Sequence, residues 1–431
     1  MHYEETIRYL YHLQFHGIQP GLDRTRLLLS LMGNPHSRFP SIHIGGTNGK
    51  GSTSAMVASI LQQGGYRVGL YTSPHLIDFS ERITINNIPI PTEEVIRLTD
   101  RLTSAVNTEK MQVTFFEFIT AMAFCYFADR VDIAVIEVGL GGRFDATNVL
   151  MPLITAITQI GFDHEQYLGT TILEIAKEKA GIIKEGTPII TGAKQMEVLA
   201  LFEQIAGAQH APLFQLRRDM TVLKHGPDLL RYHGISERII PCPLLGKHQM
   251  DNAGVALRII EAMQPSQCRT PFPVSENDIV EGMRQVKWPG RLQVIQADPM
   301  VLLDGAHNPS GASALADYLQ EVDPSRFGRH FMIIGILREK NVREILSRIT
   351  LWADEIVFSR PDIARAADPA DLLALVERPI LKTVQGTIVQ AIAYAEARMK
   401  PEDTLVITGS LYTVSEALAY FKGVALSPVR G

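Results

Sequence analysis

The chain has 431 residues, of which 46% are hydrophobic and 20% are charged, and its formal net charge is −5 at pH 7. This composition indicates a soluble globular protein of about two domains and excludes an intrinsically disordered chain. The acidic balance, with no Lys/Arg cluster to offset it, argues against a nucleic-acid-binding surface. The segment Met1–Glu5 lacks the basic start and apolar core of a signal peptide, and no apolar run is long enough to span a bilayer. We therefore expect a cytoplasmic protein with neither a nucleic-acid nor a membrane partner.

The cysteines and the surface composition bear on redox state and assembly. Cys125, Cys242 and Cys268 are widely separated and show no metal-binding spacing. Reduced thiols in a cytoplasmic protein are the simplest interpretation. Because the sequence shows no signature of a large apolar surface, we expect a monomer.

Helical and apolar segments alternate through the first part of the chain. The pattern is helical before residue 40, with a break at Gln19–Gly21. Strand-like apolar runs then occupy residues 41–44, 68–71, 131–138, 154–160 and 188–191. Continuous apolar strands between amphipathic helices predict a parallel sheet covered on both faces. Residues 213–240 carry shorter alternating segments, which predict a few antiparallel strands.

A second alternation follows a break at Trp288–Arg291. Its strand-like runs are Met300–Asp304, Phe331–Gly335, Glu355–Phe358, Ile380–Thr383 and Thr404–Thr408. We predict an α/β protein with two domains, at residues 1–290 and 291–431. The first is a parallel-sheet domain of the phosphate-loop ATPase type, and the second is a smaller, Rossmann-like C-terminal α/β domain.

The segment Gly45–Ser52 carries the clearest chemical signal in the sequence. It follows an apolar run and opens a helical one, which is the order of a phosphate-binding loop. Glycines turn backbone N–H groups toward phosphates, the helix N-terminus adds a positive end, and Lys50 supplies a mobile charge. The match to the general pattern is imperfect, because Gly51 separates Lys50 from Ser52 and Ile44 stands where a glycine is expected. A glycine-rich turn without a ligand is the alternative interpretation.

Polar residues also follow the other strands of the first domain. Ser73 follows the second strand, Glu137 ends the third, and Asp163 with His164 follows the fourth. Ligands of open α/β sheets lie beyond the carboxyl ends of the strands, so we expect these side chains to converge on the phosphates. Oxygen donors suit Mg²⁺, which triphosphate chemistry requires, whereas Mg²⁺ binds imidazole poorly. Alone, Glu137 could be a solvated acid, but the loop upstream favours a metal ligand.

The predicted helix Thr171–Ala180 places a lysine on its apolar stripe. Thr171 and Glu174 form a capping-box pattern at its start, and Lys179 takes the next position on the stripe, whereas Lys177 points away. A lysine of this kind often extends its amine to solvent. The alternative is a desolvated amine with a lowered pKa, able to act on a phosphate or to capture CO₂ as a carbamate. The sequence leaves both interpretations open.

Taken together, these segments resemble the folylpolyglutamate synthases of the Mur ligase superfamily, in particular the bifunctional kind that is also a dihydrofolate synthase. The resemblance covers nearly the whole chain and includes the loop Gly46–Ser52, which is that family's own form of the motif. The other matching segments are Tyr71–Leu76, Glu81–Ile83, Glu137–Asn148, Asp163–His164, Leu168–Gly169, Glu178–Ile182, Asn252–Ala253, Trp288–Arg291, Leu303–Pro309 and Gly409–Tyr412. In one place the chain departs from the family pattern: Arg338–Asn341 stands where relatives commonly have an Asp-Lys-Asp turn.

The resemblance implies an ATP site divided between the two domains. The residues that it assigns to ATP are Asn48, Gly49, Lys50, Gly51, Ser52, Asn252, Arg291, Asp304 and His307. It also implies Mg²⁺, with two ions and with Ser73, Glu137 and His164 as ligands, and a CO₂-derived carbamate on Lys179. Lys50, Lys179 and His164 are the implied catalytic residues. A divided site of this kind implies that the domains close around the nucleotide and exclude water.

The implied reaction is ATP-dependent formation of an amide with L-glutamate. The carboxylate of dihydropteroate or of a reduced folate attacks the γ-phosphate, which gives an acyl phosphate and ADP. The glutamate amine then attacks the activated carbonyl and expels phosphate. Mg²⁺ and Lys50 would offset charge on the transferring phosphoryl group. We expect dihydrofolate synthase activity, folylpolyglutamate synthase activity, or both.

Two segments are candidates for the pterin site. They are the residues Thr114, Phe115, Phe116, Glu117, Phe144, Asp145 and Ala146. Aromatic faces stack on flat heterocycles, and a carboxylate accepts two hydrogen bonds from an aminopyrimidine edge. The phenylalanines could equally belong to the core of a helix. Asp145 is the firmer candidate, because it lies in a glycine-rich loop beside the expected metal site.

Two other functions are compatible with parts of the sequence. A Mur-type ligase acting on a cell-wall precursor is disfavoured, because no separate UDP-binding domain is evident before Gly45. A nucleotide-dependent switch or binding module without ligase chemistry would not need the Lys179 helix or the second-domain residues Asp304 and His307. Glutamate-dependent phosphate release with a pteroate co-substrate would distinguish all three.

Overall fold

The computed structural model describes residues 2–17, 19–265, 268, 270–322 and 328–427. Its first unit is built on an eight-stranded sheet with the strand order β4-β3-β2-β5-β1-β6-β7-β8. The strands are β1 Ser41–Gly45, β2 Val68–Tyr71, β3 Ile83–Ile85, β4 Ile88–Pro89, β5 Ile133–Glu137, β6 Ile154–Ile157, β7 Ile189–Thr191 and β8 Leu213–Gln215. Strands β3 and β4 add an antiparallel edge, and the other six strands run parallel.

Helices cover both faces of this sheet, as the continuous apolar strands predict. They are α1 Tyr3–His12, α2 Asp23–Leu31, α3 Lys50–Gln63, α4 Thr92–Thr108, α5 Phe115–Phe127, α6 Glu165–Leu168, α7 Ile172–Ala180, α8 Met196–Ala208, α9 His248–Ala262 and α10 Glu276–Gln285. Successive residues of β5 point into opposite cores. Ile133 and Val135 pack with α3 and α9, whereas Ala134 and Ile136 pack with α1 and α5. The four positions of β5 before Glu137 are therefore all apolar.

The prediction for residues 213–240 is partly wrong. A three-stranded antiparallel sheet does form, from β9 Thr221–Lys224, β10 Leu229–His233 and β11 Glu237–Pro241. However, β8 pairs in parallel with β7 and belongs to the main sheet. A three-residue strand shows too little periodicity to reveal its partner, and its pairing is decided by the neighbouring strand edge.

The second unit has a six-stranded sheet with the order β12-β13-β17-β14-β15-β16. Its elements are β12 Gln293–Gln296, β13 Met300–Asp304, α11 Pro309–Glu321, β14 His330–Ile334, α12 Val342–Ile349, β15 Glu355–Phe358, α13 Pro369–Ala374, β16 Leu381–Val384, α14 Ile388–Glu396, β17 Thr404–Thr408 and α15 Leu411–Lys422. Only β12 is antiparallel to its neighbour. The predicted α/β class with two sheets is confirmed. The predicted domain boundary at residues 290 and 291 lies between α10 and β12 and stays a prediction.

The two units meet at the carboxyl ends of the strands of the first sheet. Asn48 Nδ2, from the loop after β1, donates to Ser310 Oγ at the start of α11, at 2.6 Å. Ser427 N donates to Ile77 O, in the segment after β2, at 2.9 Å. Among the described helices, none combines the length and the apolar character needed to cross a membrane. The three cysteines are free, as predicted.

Candidate active site

The loop after β1 is held in one conformation by the strand beside it and by α9. Gly49, the residue before α3, has φ +87°, and a Cβ atom there would lie 2.1 Å from Asn252 Oδ1. Thr158 Oγ1 donates to Asn48 O at 2.6 Å, and Thr47 N donates to Gln159 O at 2.7 Å. A side chain at Gly49 would therefore be strained and would displace Asn252, and glycine lets the start of α3 face the site.

Two lysine amines lie against this loop. Lys50 Nζ donates to Thr47 O at 3.1 Å, and Lys179 Nζ donates to Gly46 O at 2.9 Å. Lys179 is 4% exposed, so its amine lies inside the protein rather than in solvent. Burial, with a smaller contribution from the charge of Lys50, lowers the pKa of Lys179 to about 7. The solvent-exposed interpretation of Lys179 is therefore excluded.

Glu137 ends β5 as a buried carboxylate. It is 4% exposed, and its Oε2 accepts a hydrogen bond from Ser73 N at 3.1 Å. Burial raises its pKa above the usual value, against the charges of Lys50, Arg291 and Arg82 and the Ser73 N–H, which act to lower it. Glu137 is thus not a solvated acid at a strand end, and it faces several cationic groups.

Asp163, in the loop after β6, connects the two units. Its Oδ1 lies 2.5 Å from Lys340 Nζ, and its Oδ2 lies 3.4 Å from His307 Nε2 and accepts from Asn308 Nδ2 at 3.1 Å. Burial alone would raise the pKa of Asp163. The hydrogen bond and charge of His307, together with the charges of His164 and Lys340, outweigh that effect and hold the pKa far below its usual range. This carboxylate is therefore ionised and is shared with the second unit.

His164 follows Asp163 and caps α6 from a left-handed backbone conformation, with φ +53°. Burial lowers its pKa to about 4, although the charge of Asp163 opposes the change. Its imidazole is therefore neutral at pH 7. The charge of Lys50 acts on His164, Glu137 and Lys179, which places all three around the loop lysine.

Residues at and after β13 form the second unit's side of the site. Asp304 accepts backbone hydrogen bonds from Leu292 N at Oδ2 and from Ala306 N at Oδ1, both at 2.9 Å. Arg291 Nη1 lies 3.4 Å from Gly305 O. The carboxylate thus fixes the turn that carries His307.

The first candidate pterin segment is used structurally at the start of α5. Thr114 and Glu117 form a reciprocal capping box, with Thr114 N donating to Glu117 Oε2 at 2.8 Å. Glu117 also pairs with Arg24, whose Nε lies 3.0 Å from Oε1. Phe115 is buried in the core, and Phe116 is partly buried against it. A Cβ atom at Gly139 would lie 2.3 Å from Phe116 Cζ, so this segment contacts the start of the loop that leads to the second candidate segment.

The second candidate segment combines one buried acid with one exposed ring. Asp145 accepts from Leu140 N at 2.8 Å and from Thr147 N at 3.0 Å. Burial raises its pKa, and these hydrogen bonds oppose the change. Phe144 is 44% exposed, and the guanidinium carbon of Arg143 lies 4.7 Å from its ring centroid. Phe144 is therefore available to a ligand, whereas Asp145 holds its own loop together. Ala146, the next residue, is buried.

Comparison with known proteins gives this arrangement a family. The Mur ligase middle domain matches residues 44–260, and the Mur ligase glutamate ligase domain matches residues 290–411. The dihydrofolate synthase/folylpolyglutamate synthase of Bacillus subtilis (strain 168) is 38% identical over 93% of this chain and 94% of its own. The Escherichia coli (strain K12) protein of the same name is 31% identical over 96% and 94%.

The chain belongs to the dihydrofolate synthase/folylpolyglutamate synthase family of Mur ligases.

Solved structures of this family share the fold over almost the entire chain. E. coli FolC in complex with DHPP and ADP superposes with a TM-score of 0.88 at 29% identity, covering 97% of this chain and 98% of that one. The folylpolyglutamate synthase of Thermotoga maritima has a TM-score of 0.84 at 38% identity, covering 97% and 96%.

Sequence reasoning gave no role to two residues that the structure brings to the site. Lys340 lies in the divergent turn, and Arg82, whose charge acts on Glu137, lies inside a matching segment. Lys340 pairs with Asp163 of the other unit, 177 residues earlier in the sequence, a contact that no local pattern indicates. The described residues contain no group of three or more His, Cys, Asp or Glu side chains placed to hold a metal. The predicted set contains only two residues of those types, so this finding does not test it.

Proposed function

We propose that this chain is an ATP-dependent ligase that adds L-glutamate to dihydropteroate and to reduced folates through an acyl phosphate. The observation that carries the proposal is the junction of the two units. A phosphate-type loop, a buried carboxylate at Glu137, a buried amine at Lys179 and the interdomain acid Asp163 lie together there. The names of the relatives support this substrate class, and the complex of E. coli FolC with DHPP and ADP supports the nucleotide.

The nucleotide phosphates would lie on the loop residues Asn48–Ser52. The N–H groups at the start of α3 and the amine of Lys50 supply positive charge there. Asn252 lies against Gly49 on the far side of the loop. Arg291, Asp304 and His307 approach from the second unit, so binding of ATP would hold both units together.

The donor groups at the end of β5 fit Mg²⁺. Glu137 and the hydroxyl of Ser73 are hard oxygen donors at adjacent strand ends, and Mg²⁺ commonly takes one or two protein ligands beside phosphates and waters. His164 is neutral at pH 7, the state in which an imidazole binds a metal, but imidazole is the weaker donor for Mg²⁺. Bound there, the metal would offset charge on the transferring phosphoryl group. Glu137→Gln should raise the Mg²⁺ concentration required for half-maximal activity at least tenfold, and an unchanged requirement would exclude Glu137 as a ligand.

The environment of Lys179 fits carbamate formation. A neutral amine is needed to attack CO₂, and a pKa of about 7 leaves about half of the amine neutral at pH 7. The resulting anion would lie near Lys50 and would supply oxygen donors for a second Mg²⁺. Lys179→Ala, assayed with and without added bicarbonate, tests the role: full activity in the variant would exclude it.

The reaction requires two substitutions in sequence. An oxygen of the substrate carboxylate attacks the γ-phosphorus, the bond to the β-phosphate oxygen breaks, and ADP leaves. The amine nitrogen of glutamate then attacks the acyl carbon, its proton is lost, and the C–O bond to phosphate breaks. Lys50 would offset the negative charge of the transferring phosphoryl group, and closure of the two units would protect the acyl phosphate from water.

The pterin ring would lie beside the loop that carries Phe144. Its exposed ring offers a stacking face, and Phe116 lies behind the same loop. Thr114, Phe115 and Glu117 would shape this wall from the start of α5, and Asp145 and Ala146 would fix the loop. The monomeric state and the cytoplasmic location stay predictions from the composition.

Transfer of oxygen from substrate to phosphate tests the acyl-phosphate route. Dihydropteroate labelled with ¹⁸O in its carboxylate should give phosphate that carries one labelled oxygen for each amide formed. Unlabelled phosphate with normal amide formation would contradict the route, whatever the substrate range of the enzyme.

A further inference from the structure

Arg82 is a buried arginine without an acidic partner. It is 6% exposed, and it takes part in none of the ion pairs formed among the described residues. Its Nε donates to His75 Nδ1 at 2.9 Å, and its guanidinium carbon lies 5.4 Å from the ring centroid of Phe115. Its charge acts on the carboxylate of Glu137, but a buried guanidinium without a direct ion pair is costly, so a position of this kind is suited to receive an anion.

The backbone places Arg82 beside the expected metal and phosphate positions. Strands β2 and β3 pair Tyr71 with Ile83, and Thr72 N donates to Arg82 O at 3.0 Å. The next residue, Ser73, donates its N–H to Glu137. Arg82 is therefore hydrogen-bonded through its backbone to Thr72, and the next residue, Ser73, is hydrogen-bonded to the Glu137 carboxylate that ends β5.

Aromatic groups line the side of Arg82 that faces α1 and α5. Because His75 Nδ1 accepts from Arg82, its Nε2 carries the proton and donates to Tyr11 Oη, 3.2 Å away. The rings of Tyr11 and Phe115 are stacked, with centroids 5.1 Å apart and an interplanar angle of 19°. The guanidinium is thus held in place at the end of an aromatic wall.

We propose that Arg82 binds the carboxylate of the aromatic acid substrate, the group that is activated by ATP. A guanidinium recognises a planar carboxylate through paired N–H groups. Lys50 and Arg291 are assigned to the nucleotide in the proposed function, whereas Arg82 is not. This inference rests on the proposed function and adds a substrate-binding residue to it.

Substitution of Arg82 should change one Michaelis constant selectively. In Arg82→Gln, the KM for dihydropteroate should rise about 30-fold or more, because charge-assisted hydrogen bonds are lost, while the KM values for ATP and L-glutamate should change less than threefold. Arg82→Lys keeps the charge but not the paired geometry and should be intermediate. A rise confined to the KM for L-glutamate or for ATP would overturn the inference.

Arg130→Gln is a matched control in the same domain. Arg130 also lies over an aromatic ring, 5.1 Å from that of Tyr126, but it is 40% exposed and pairs with Glu94 at 3.1 Å. All three KM values should stay within twofold of those of the unchanged chain. ATP-induced thermal stabilisation of each variant reports whether the fold and the nucleotide site are intact.

A ligand-side comparison separates charge recognition from general damage. The affinity for dihydropteroate and for its neutral carboxamide would be measured in the presence of ADP. The unchanged chain should prefer the carboxylate, and Arg82→Gln or Arg82→Lys should lose most of that preference while keeping its affinity for the carboxamide. Equal loss for both ligands would overturn the inference alone. If the unchanged chain turned over neither dihydropteroate nor tetrahydrofolate, the proposed function would be overturned and this inference with it.

Discussion

Replacing Lys179 with methionine keeps the length of the side chain and removes a charge from a fully buried position. The folded protein lowers the pKa of this amine from 10.5 to about 7, mainly through burial. At 1.36 kcal/mol per pH unit, the lowering corresponds to a cost of folding of about 5 kcal/mol when the amine is protonated. The methionine variant avoids that cost but loses the hydrogen bond from Nζ to Gly46 O, worth about 1 kcal/mol.

The sign of the pH dependence follows from proton binding. Between pH 7 and 10.5 the unfolded chain binds more protons than the folded one, so the stability of the unchanged protein rises with pH across that interval. Below pH 7 the full cost is present, and at pH 9 about 2 kcal/mol of it remains. Lys179→Met should therefore be more stable than the unchanged chain by about 4 kcal/mol at pH 6.5 and by only about 1 kcal/mol at pH 9.

Urea unfolding of the ligand-free proteins at the two pH values, in CO₂-free buffer, measures this difference. CO₂ must be absent because a carbamate would replace the amine with an anion. Lys177→Met is the control: Lys177 lies on the same helix but is exposed, so its effect should stay within about 0.5 kcal/mol at both pH values. A Lys179→Met effect that is the same at pH 6.5 and pH 9 would refute the desolvation of this amine.

Two further substitutions test the loop and the domain interface. Gly49→Ala should abolish measurable ATP binding in calorimetry, because its Cβ atom would lie 2.1 Å from Asn252 Oδ1. Gly65→Ala is the control: Gly65 has a similar φ of +85° but open space around it, so this variant should bind ATP normally. Equal effects of the two substitutions on ATP binding would show that backbone strain alone decides the outcome. Lys340→Met removes the lysine partner of the buried Asp163 carboxylate, which keeps its contact with His307, and should lower kcat/KM at least tenfold. Lys247→Met breaks an exposed interdomain pair and should change kcat/KM less than twofold, and similar values for the two variants would contradict the importance of burial.

Much of the architecture followed from apolar periodicity. The predicted strands at 68–71, Met300–Asp304, Glu355–Phe358 and Thr404–Thr408 have the observed bounds, because buried parallel strands are continuous apolar runs between clear breaks. The antiparallel strand Gln293–Gln296 was not predicted, since two of its four residues are glutamines and two are exposed. Short edge strands carry too little pattern to be recognised without their neighbours.

Site residues were predictable where a single segment carries the chemistry. They were missed where the site arises from the pairing of residues that are distant in the sequence. The loop and the carboxylate at Glu137 are visible in the sequence because a strand, a turn and a polar residue follow one another. The sequence could not choose between a solvent-exposed and a buried Lys179, since that depends on the loop packed over it. Lys340 lay in a turn that appeared only divergent, and its partner Asp163 belongs to the other unit.

Glutamate-dependent release of ADP from Mg-ATP, compared for 7,8-dihydropteroate and tetrahydrofolate, tests the central claim most directly. The account predicts turnover with both acids and none when glutamate is omitted. Turnover with tetrahydrofolate alone would keep the ligase mechanism and withdraw the dihydrofolate synthase activity. No turnover with either acid, under conditions where ATP binds, would contradict the assignment of this site to folate ligation.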